Sequence, residues 1–144
     1  MLLNLSHDLQ KKQEQISAEV GKPFDLEARK KFEGISLTEI PVTAASIDLY
    51  NLMVLNESQV FCSIEMRPKG VIISFRAKTD MYSLVIPFYK LKIYKGRAEE
   101  YSFYKDHYFI KIWAGAGQAE THAFVKKLKN YQADTAHPRI EDML

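Results

Sequence analysis

The stretch Gln59–Ala77, QVFCSIEMRPKGVIISFRA, decides the fold. Val60, Cys62, Ile64 and Met66 alternate with Phe61, Ser63, Glu65 and Arg67, the two-residue period of a strand with one buried and one wet face. Pro68-Lys69-Gly70 then predicts a tight turn in which Gly70 can take φ > 0. Val71, Ile73 and Phe75 return opposite Ile72, Ser74 and Arg76. Two alternating runs around so short a turn predict an antiparallel hairpin.

Working downstream, Met81–Tyr94 is another apolar run, MYSLVIPFYKLKIY. Pro87 inside it has no N–H for a ladder, so one strand is expected to end near Ile86 and another to begin near Phe88. A loop at KGRAEE follows. Tyr101–Ala114 predicts a second hairpin turning at Lys105-Asp106-His107, with Tyr108, Ile110, Ile112 and Ala114 on one face. Gln118–Gln132 then reads as a helix with Phe124, Val125, Leu128 and Tyr131 on its apolar side and Lys126, Lys127 and Lys129 on the other. Residues 134–144 have no periodicity and are expected to fray.

Upstream, the alternating period is expected from Leu49 onward. Residues 5–20 predict a helix with Ser6 as N-cap and Gly21 just past its end, stopped by Pro23. Its stripe of Leu5, Leu9, Ile16 and Val20 is thin, so the helix needs another surface to pack on. Asp25 is placed to cap a short second helix ending near Gly34. Residues 35–48 are ambiguous, and Pro41 argues against one continuous element there. The organisation expected is a helical extension over 1–45, a β-rich unit with its closing helix over 46–133, and a tail over 134–144.

A chain of 144 residues suits one domain, and at that size about 70% of the unfolded surface can be buried without metal or disulfide staples. Apolar residues make up 47% and charged residues 26%, which argues against wholesale disorder. A single cysteine, Cys62, excludes an internal disulfide framework and favours a cytoplasmic setting. The start, MLLNLSHDLQKK, lacks the basic-then-apolar order of a signal peptide. No apolar run approaches the roughly 18 residues of a membrane span.

Net charge is +2, but residues 66–97 carry Arg67, Lys69, Arg76, Lys78, Lys90, Lys92, Lys95 and Arg97 against Asp80 alone, a local +7. Such a block attracts anionic lipid, nucleic acid or an acidic protein.

Motifs for catalysis are missing. Gly115-Ala116-Gly117 resembles half of a dinucleotide fingerprint, but Glu120 stands where the third glycine is needed and no strand with an acidic residue follows. The simpler expectation is a turn feeding the last helix. Cys62 is in phase with core residues, which argues against a nucleophile. His7, His107, His122 and His137 show no metal-ligand spacing, and His107 and His122 are expected to be solvated. The carboxylates are scattered. No catalytic residue, metal ligand or cofactor is assigned. Aromatics interleaved with lysines, FYKLKIYKG and YSFYKDHYFIKIW, raise single-stranded nucleic-acid binding as a third choice, behind rings that fill a core while lysines cover its wet face.

Two antiparallel hairpin sets and one closing amphipathic helix, over about residues 49–132, resemble the pleckstrin-homology-like (PH-like) superfold, including its bacterial and GRAM-type members. Ile86-Pro87-Phe88 with Leu91 is similar to the IPY/IPF-x-x-I segment of the bacterial members. The resemblance implies an α+β, mainly β fold: a partly open antiparallel barrel of two packed sheets with the terminal helix plugging one end. It also implies a bacterial source. The N-terminal segment lies outside the pattern and is expected to wrap the barrel, cover an edge strand or mediate a homodimer. Phosphoinositide-binding PH domains carry a Lys, a gap and Lys/Arg-x-Arg in their first hairpin. Lys69, Arg76 and Lys78 approximate this, with Lys in place of the final Arg and with the hairpin formed by the second and third strands.

The expected function is a non-enzymatic binding module whose protein partner or anionic lipid meets Lys69, Arg76, Lys78, Lys90 and Lys92. A small-ligand or enzymatic barrel is the alternative, with wall residues that the sequence does not rank.

Overall fold

The structure is a computed structural model that describes residues 1–32, 34–97 and 99–136. In chain order its elements are β1 (Leu2–Asn4), α1 (Leu9–Val20), α2 (Leu26–Phe32), β2 (Ser36–Ala45), α3 (Ile47–Met53), β3 (Phe61–Arg67), β4 (Gly70–Ala77), β5 (Asp80–Pro87), β6 (Lys92–Lys95), β7 (Glu100–Lys105), β8 (Tyr108–Trp113) and α4 (Ala119–Ala136). The hairpin expected from Gln59–Ala77 is β3–β4, paired from Cys62–Phe75 to Arg67–Gly70. The second expected hairpin is β7–β8, turning at Asp106-His107.

The eight strands among the described residues join one antiparallel sheet in the order β1-β5-β4-β3-β2-β8-β7-β6. It does not close, because β1 and β6 lie at its two ends. The inner face follows the alternation of the sequence. Cys62, Ile64 and Met66 of β3 and Val71, Ile73 and Phe75 of β4 share one core with Leu84, Phe103, Ile110 and Ile112. Phe124, Val125 and Leu128 of α4 complete that core. A sheet that buries residues from both of its ends in one cluster must curve around it.

The ambiguous segment 35–48 is corrected to a ten-residue strand, β2, followed by the start of α3. Pro41 marks where this strand changes partner. Ser36–Pro41 pairs with β3, whereas Val42–Ala45 pairs with β8. The register slips on either side, between Leu37 and Ile40 and between Val42 and Ala44. A proline that cannot donate to a ladder is tolerated at such an irregularity. The bulge also holds Glu39 at φ +53.

Residues 1–45 are therefore not only helical, since they supply β1 and β2 to the sheet. The first helix starts at Leu9 instead of residue 5, and Leu2–Asn4 pairs with β5. Ser6 does not cap it: its hydroxyl accepts the Met81 N–H. Gly21 behaves as expected, at φ +89 with its N–H on the Ser17 carbonyl. Asp25 accepts the Ala28 N–H at 2.8 Å, as a cap should. Strand periodicity does not begin at Leu49, because Leu49 and Met53 are the buried i, i+4 pair of α3.

The N-terminal helix packs on the outer face of the sheet. Ile16 and Val20 of α1 form a second cluster with Ile72 of β4 and Val85 of β5. Gly70 is part of this packing, with a different role from the one expected. Its φ is not positive. A Cβ at this position would overlap Val20 and the Ile86 carbonyl, so glycine is needed for space. The expected tail begins too early, since α4 continues to Ala136; the rest of it, with His137, lies outside the described residues.

Candidate functional site: a basic corner between β5 and β6

Pro87 ends β5, and the chain turns through Phe88-Tyr89-Lys90-Leu91 before β6. Phe88 and Leu91 are buried. The Phe88 ring sits 5.6 Å from that of Tyr131 on α4, and Phe24 meets Tyr131 edge-on at 6.0 Å. Burial of Tyr131 raises its pKa. Gln132 donates from one amide nitrogen to the carbonyls of Phe88 (3.0 Å) and Leu91 (2.6 Å). Ile86, Pro87, Phe88 and Leu91 are thus the buried half of a pinned turn.

The other half faces solvent. Tyr89 is 80% exposed, and Lys90 Nζ lies 5.8 Å from its ring centroid. The Phe88 N–H donates to the Lys69 carbonyl at 2.9 Å, which brings the β3–β4 turn to this corner. Lys92 begins β6 two residues after Lys90 and is exposed. Lys90 Nζ is 3.6 Å from Asp106 Oδ2, but both side chains are wet, so this pair neutralises little. Lys69 makes no ion pair among the described residues. The result is an exposed aromatic ring beside Lys90, on a turn held by buried contacts, with the Lys69 backbone bonded to that turn and Lys92 just after it.

Of the five residues singled out in the sequence, Lys69, Lys90 and Lys92 have their backbones on or next to this turn. Arg76 and Lys78 do not join them. They lie at the far end of β4, whose eight residues put roughly 23 Å between the two turns. Lys69, Arg76 and Lys78 therefore form no single anion cradle. Arg67 is also withdrawn from the basic block by Glu65 and the Gly21 carbonyl. Sequence reasoning missed Tyr89, which looked like one more core aromatic. The signal was its place beside Pro87, where strand alternation ends.

Other candidates resolve into structural roles. Cys62 is buried, and burial pushes its thiol up to about 12, far from a thiolate at neutral pH. His122 is not simply solvated. Its Nε2 is 3.0 Å from the Gly115 carbonyl and its Nδ1 is 2.7 Å from the Tyr101 hydroxyl. The carbonyl only accepts, so Nε2 carries the proton, and in the neutral ring Tyr101 donates to Nδ1. Gly115 is glycine because a Cβ would overlap the Trp113 ring. His107 is exposed, with Nε2 3.4 Å from Asp48 Oδ2. Among the described residues no three His, Cys, Asp or Glu side chains group to hold a metal ion. No helix there is long and apolar enough to cross a membrane.

No family model, curated protein or solved structure matches the chain.

Proposed function

We propose that this chain is a PH-like, non-enzymatic binding module that docks on anionic lipid surfaces through Lys69, Tyr89, Lys90 and Lys92. The observation that carries this is the hydrogen bond from Phe88 to Lys69, which ties the β3–β4 turn to the turn that carries Lys90 and a ring that is 80% exposed. An amphipathic ring suits the headgroup layer, and each lysine near an anionic surface contributes about 1 kcal/mol. Three lysines then give roughly a hundredfold preference for anionic over neutral vesicles at low salt. The PH-like part is supported by the order of the hairpins, by β2 pairing with both β3 and β8, and by the placement of α4 against the inner face.

Co-sedimentation with neutral phosphatidylcholine vesicles and with vesicles containing phosphatidylserine tests the proposal. The chain should pellet with the anionic vesicles, less so as salt approaches physiological strength. The pair Lys69→Glu with Lys90→Glu should cut binding by at least about tenfold. Arg76→Glu with Lys78→Glu, at the other end of β4, should leave most of it. Equal loss in both pairs would reduce the corner to diffuse charge. Absence of pelleting at either salt would remove lipid and leave an acidic protein as the partner to test.

A further inference from the structure

The outer face of the sheet is arranged in rows, because cross-strand neighbours share a face. Ser63, Ser74 and Ser83 form one row by their registers. Glu65, Ile72 and Val85 form the next, and α1 packs on Ile72 and Val85. On the other side of the serines, Arg76 pairs with Met81, and Phe61 stands one step beyond the Cys62–Phe75 pair. This last row is left uncovered. A groove of about 500 Å³ opens there, lined by Phe61, Ser63, Ser74, Arg76 and Met81, with Glu39 on the β2 side. That volume suits a small organic ligand.

Its chemistry is unbalanced in a way that defines a ligand. Phe61 is 50% exposed, although its backbone is held in the ladder with β2. Arg76 is exposed and makes no ion pair among the described residues. Its backbone is fixed, since Asn56 donates to the Arg76 carbonyl and accepts the Lys78 N–H. The hydroxyls of Ser74 and Ser83 are bonded to each other at 2.6 Å, which leaves Ser63 as the open hydroxyl of the row. Glu39 sits two strands from Arg76, about 10 Å away across β3. Its carboxylate repels an anion from that end and so confines negative charge to the Arg76 end.

We infer that this groove binds a small ligand carrying an oxyanion on a flat apolar body, an aromatic carboxylate or an aryl phosphate. The oxyanion takes the two-pronged guanidinium of Arg76, and the apolar body lies on Phe61. This site is separate from the basic corner and does not depend on it.

The test is an amide-shift NMR titration of the full chain with sodium benzoate, phenyl phosphate, benzamide and inorganic phosphate. Fragments of this size bind in the millimolar range. Benzoate or phenyl phosphate should give saturable shifts at Phe61, Ser63, Ser74 and Arg76, and the tighter of the two identifies the oxyanion as carboxylate or phosphate. Benzamide, neutral and of the same shape, should bind at least about tenfold more weakly. Arg76→Gln and Phe61→Ala, both at exposed positions, should each lose binding while the remaining amide spectrum stays native. Lys69→Glu with Lys90→Glu should bind normally. Absence of saturable shifts, equal binding of benzamide, or Arg76→Gln binding as well as the parent would overturn the site. Inorganic phosphate alone reproducing every shift would also overturn it, because that describes an adventitious ion only.

Discussion

Cys62 shows how position decides chemistry at the scale of one residue. Its backbone lies in the central hairpin, and alternation turns its side chain toward Ile64 and Met66. The folded thiol keeps its proton up to about 12, because a thiolate there would be desolvated. In the unfolded chain it releases the proton near 9.0. Above that pH the unfolded state binds fewer protons than the folded one, so stability falls as pH rises from 9 toward 12 and is fully present below 9. Two outcomes follow. An aromatic disulfide reagent at pH 8 should label the native chain only as fast as it opens, but label it at once in denaturant. The melting temperature should also drop less steeply between pH 9 and 12 in Cys62→Ala than in the parent. Rapid labelling of the folded chain would mean that the thiol is not enclosed.

Among the elements, the β5–β6 corner has the most direct consequence for function. Strand β5 ends at a proline, and the next four residues are sorted into buried Phe88 and Leu91 and exposed Tyr89 and Lys90. Gln132 makes the sorting rigid, because its amide occupies two carbonyls that the turn leaves unpaired by strands. Gln132→Ala should lower stability by about 1–3 kcal/mol in urea unfolding, the cost of taking this donor from the Leu91 carbonyl and leaving the Phe88 carbonyl only its turn bond from Leu91. It should also speed amide exchange at Lys90 and Leu91, whose N–H groups bond the Pro87 carbonyl. Unchanged unfolding and exchange would show that Phe88 packing alone holds the corner. Sequence alternation revealed β3 and β8, whose burial alternates along the strand, and the tight turns beside them revealed their hairpin partners β4 and β7. It missed β2, because two bulges and a change of partner break that period around Pro41. It missed β1, because three residues are too short to show one. The site was half legible: the +7 block was visible, but its division between the two ends of β4 depends on strand length and turn position. The groove at Phe61 and Arg76 was invisible, since its neighbours lie on four strands and only pairing register makes them adjacent.

For the whole molecule, the question is whether the N-terminal segment belongs to the fold or rests on it. Two kinds of contact tie it down. Backbone pairing joins β1 to the outer edge of β5, and the Leu5 N–H extends it to the Met81 carbonyl. Side-chain packing seats Ile16 and Val20 on Ile72 and Val85, and at the far end the Lys69 N–H bonds the Val20 carbonyl. The apolar side of α1 is thereby used against its own sheet. Removing residues 1–21 would expose Ile72 and Val85, at about 1.5–3 kcal/mol each, and would free a sheet edge. Against a total stability of roughly 5–15 kcal/mol, that is a large fraction. The truncated chain should melt well below the parent, bind a hydrophobic dye, and self-associate through the exposed β5 edge. The same contacts link the segment to the basic corner, because Val20 and Phe88 both bond the Lys69 turn. Val20→Ala in the full chain should therefore reduce vesicle binding as well as stability, while exposed Leu26→Ala on α2 should change neither. If the truncated chain kept its melting temperature and stayed dye-free, α1 would be a detachable cover, and Ile72 and Val85 would become a second face for a partner.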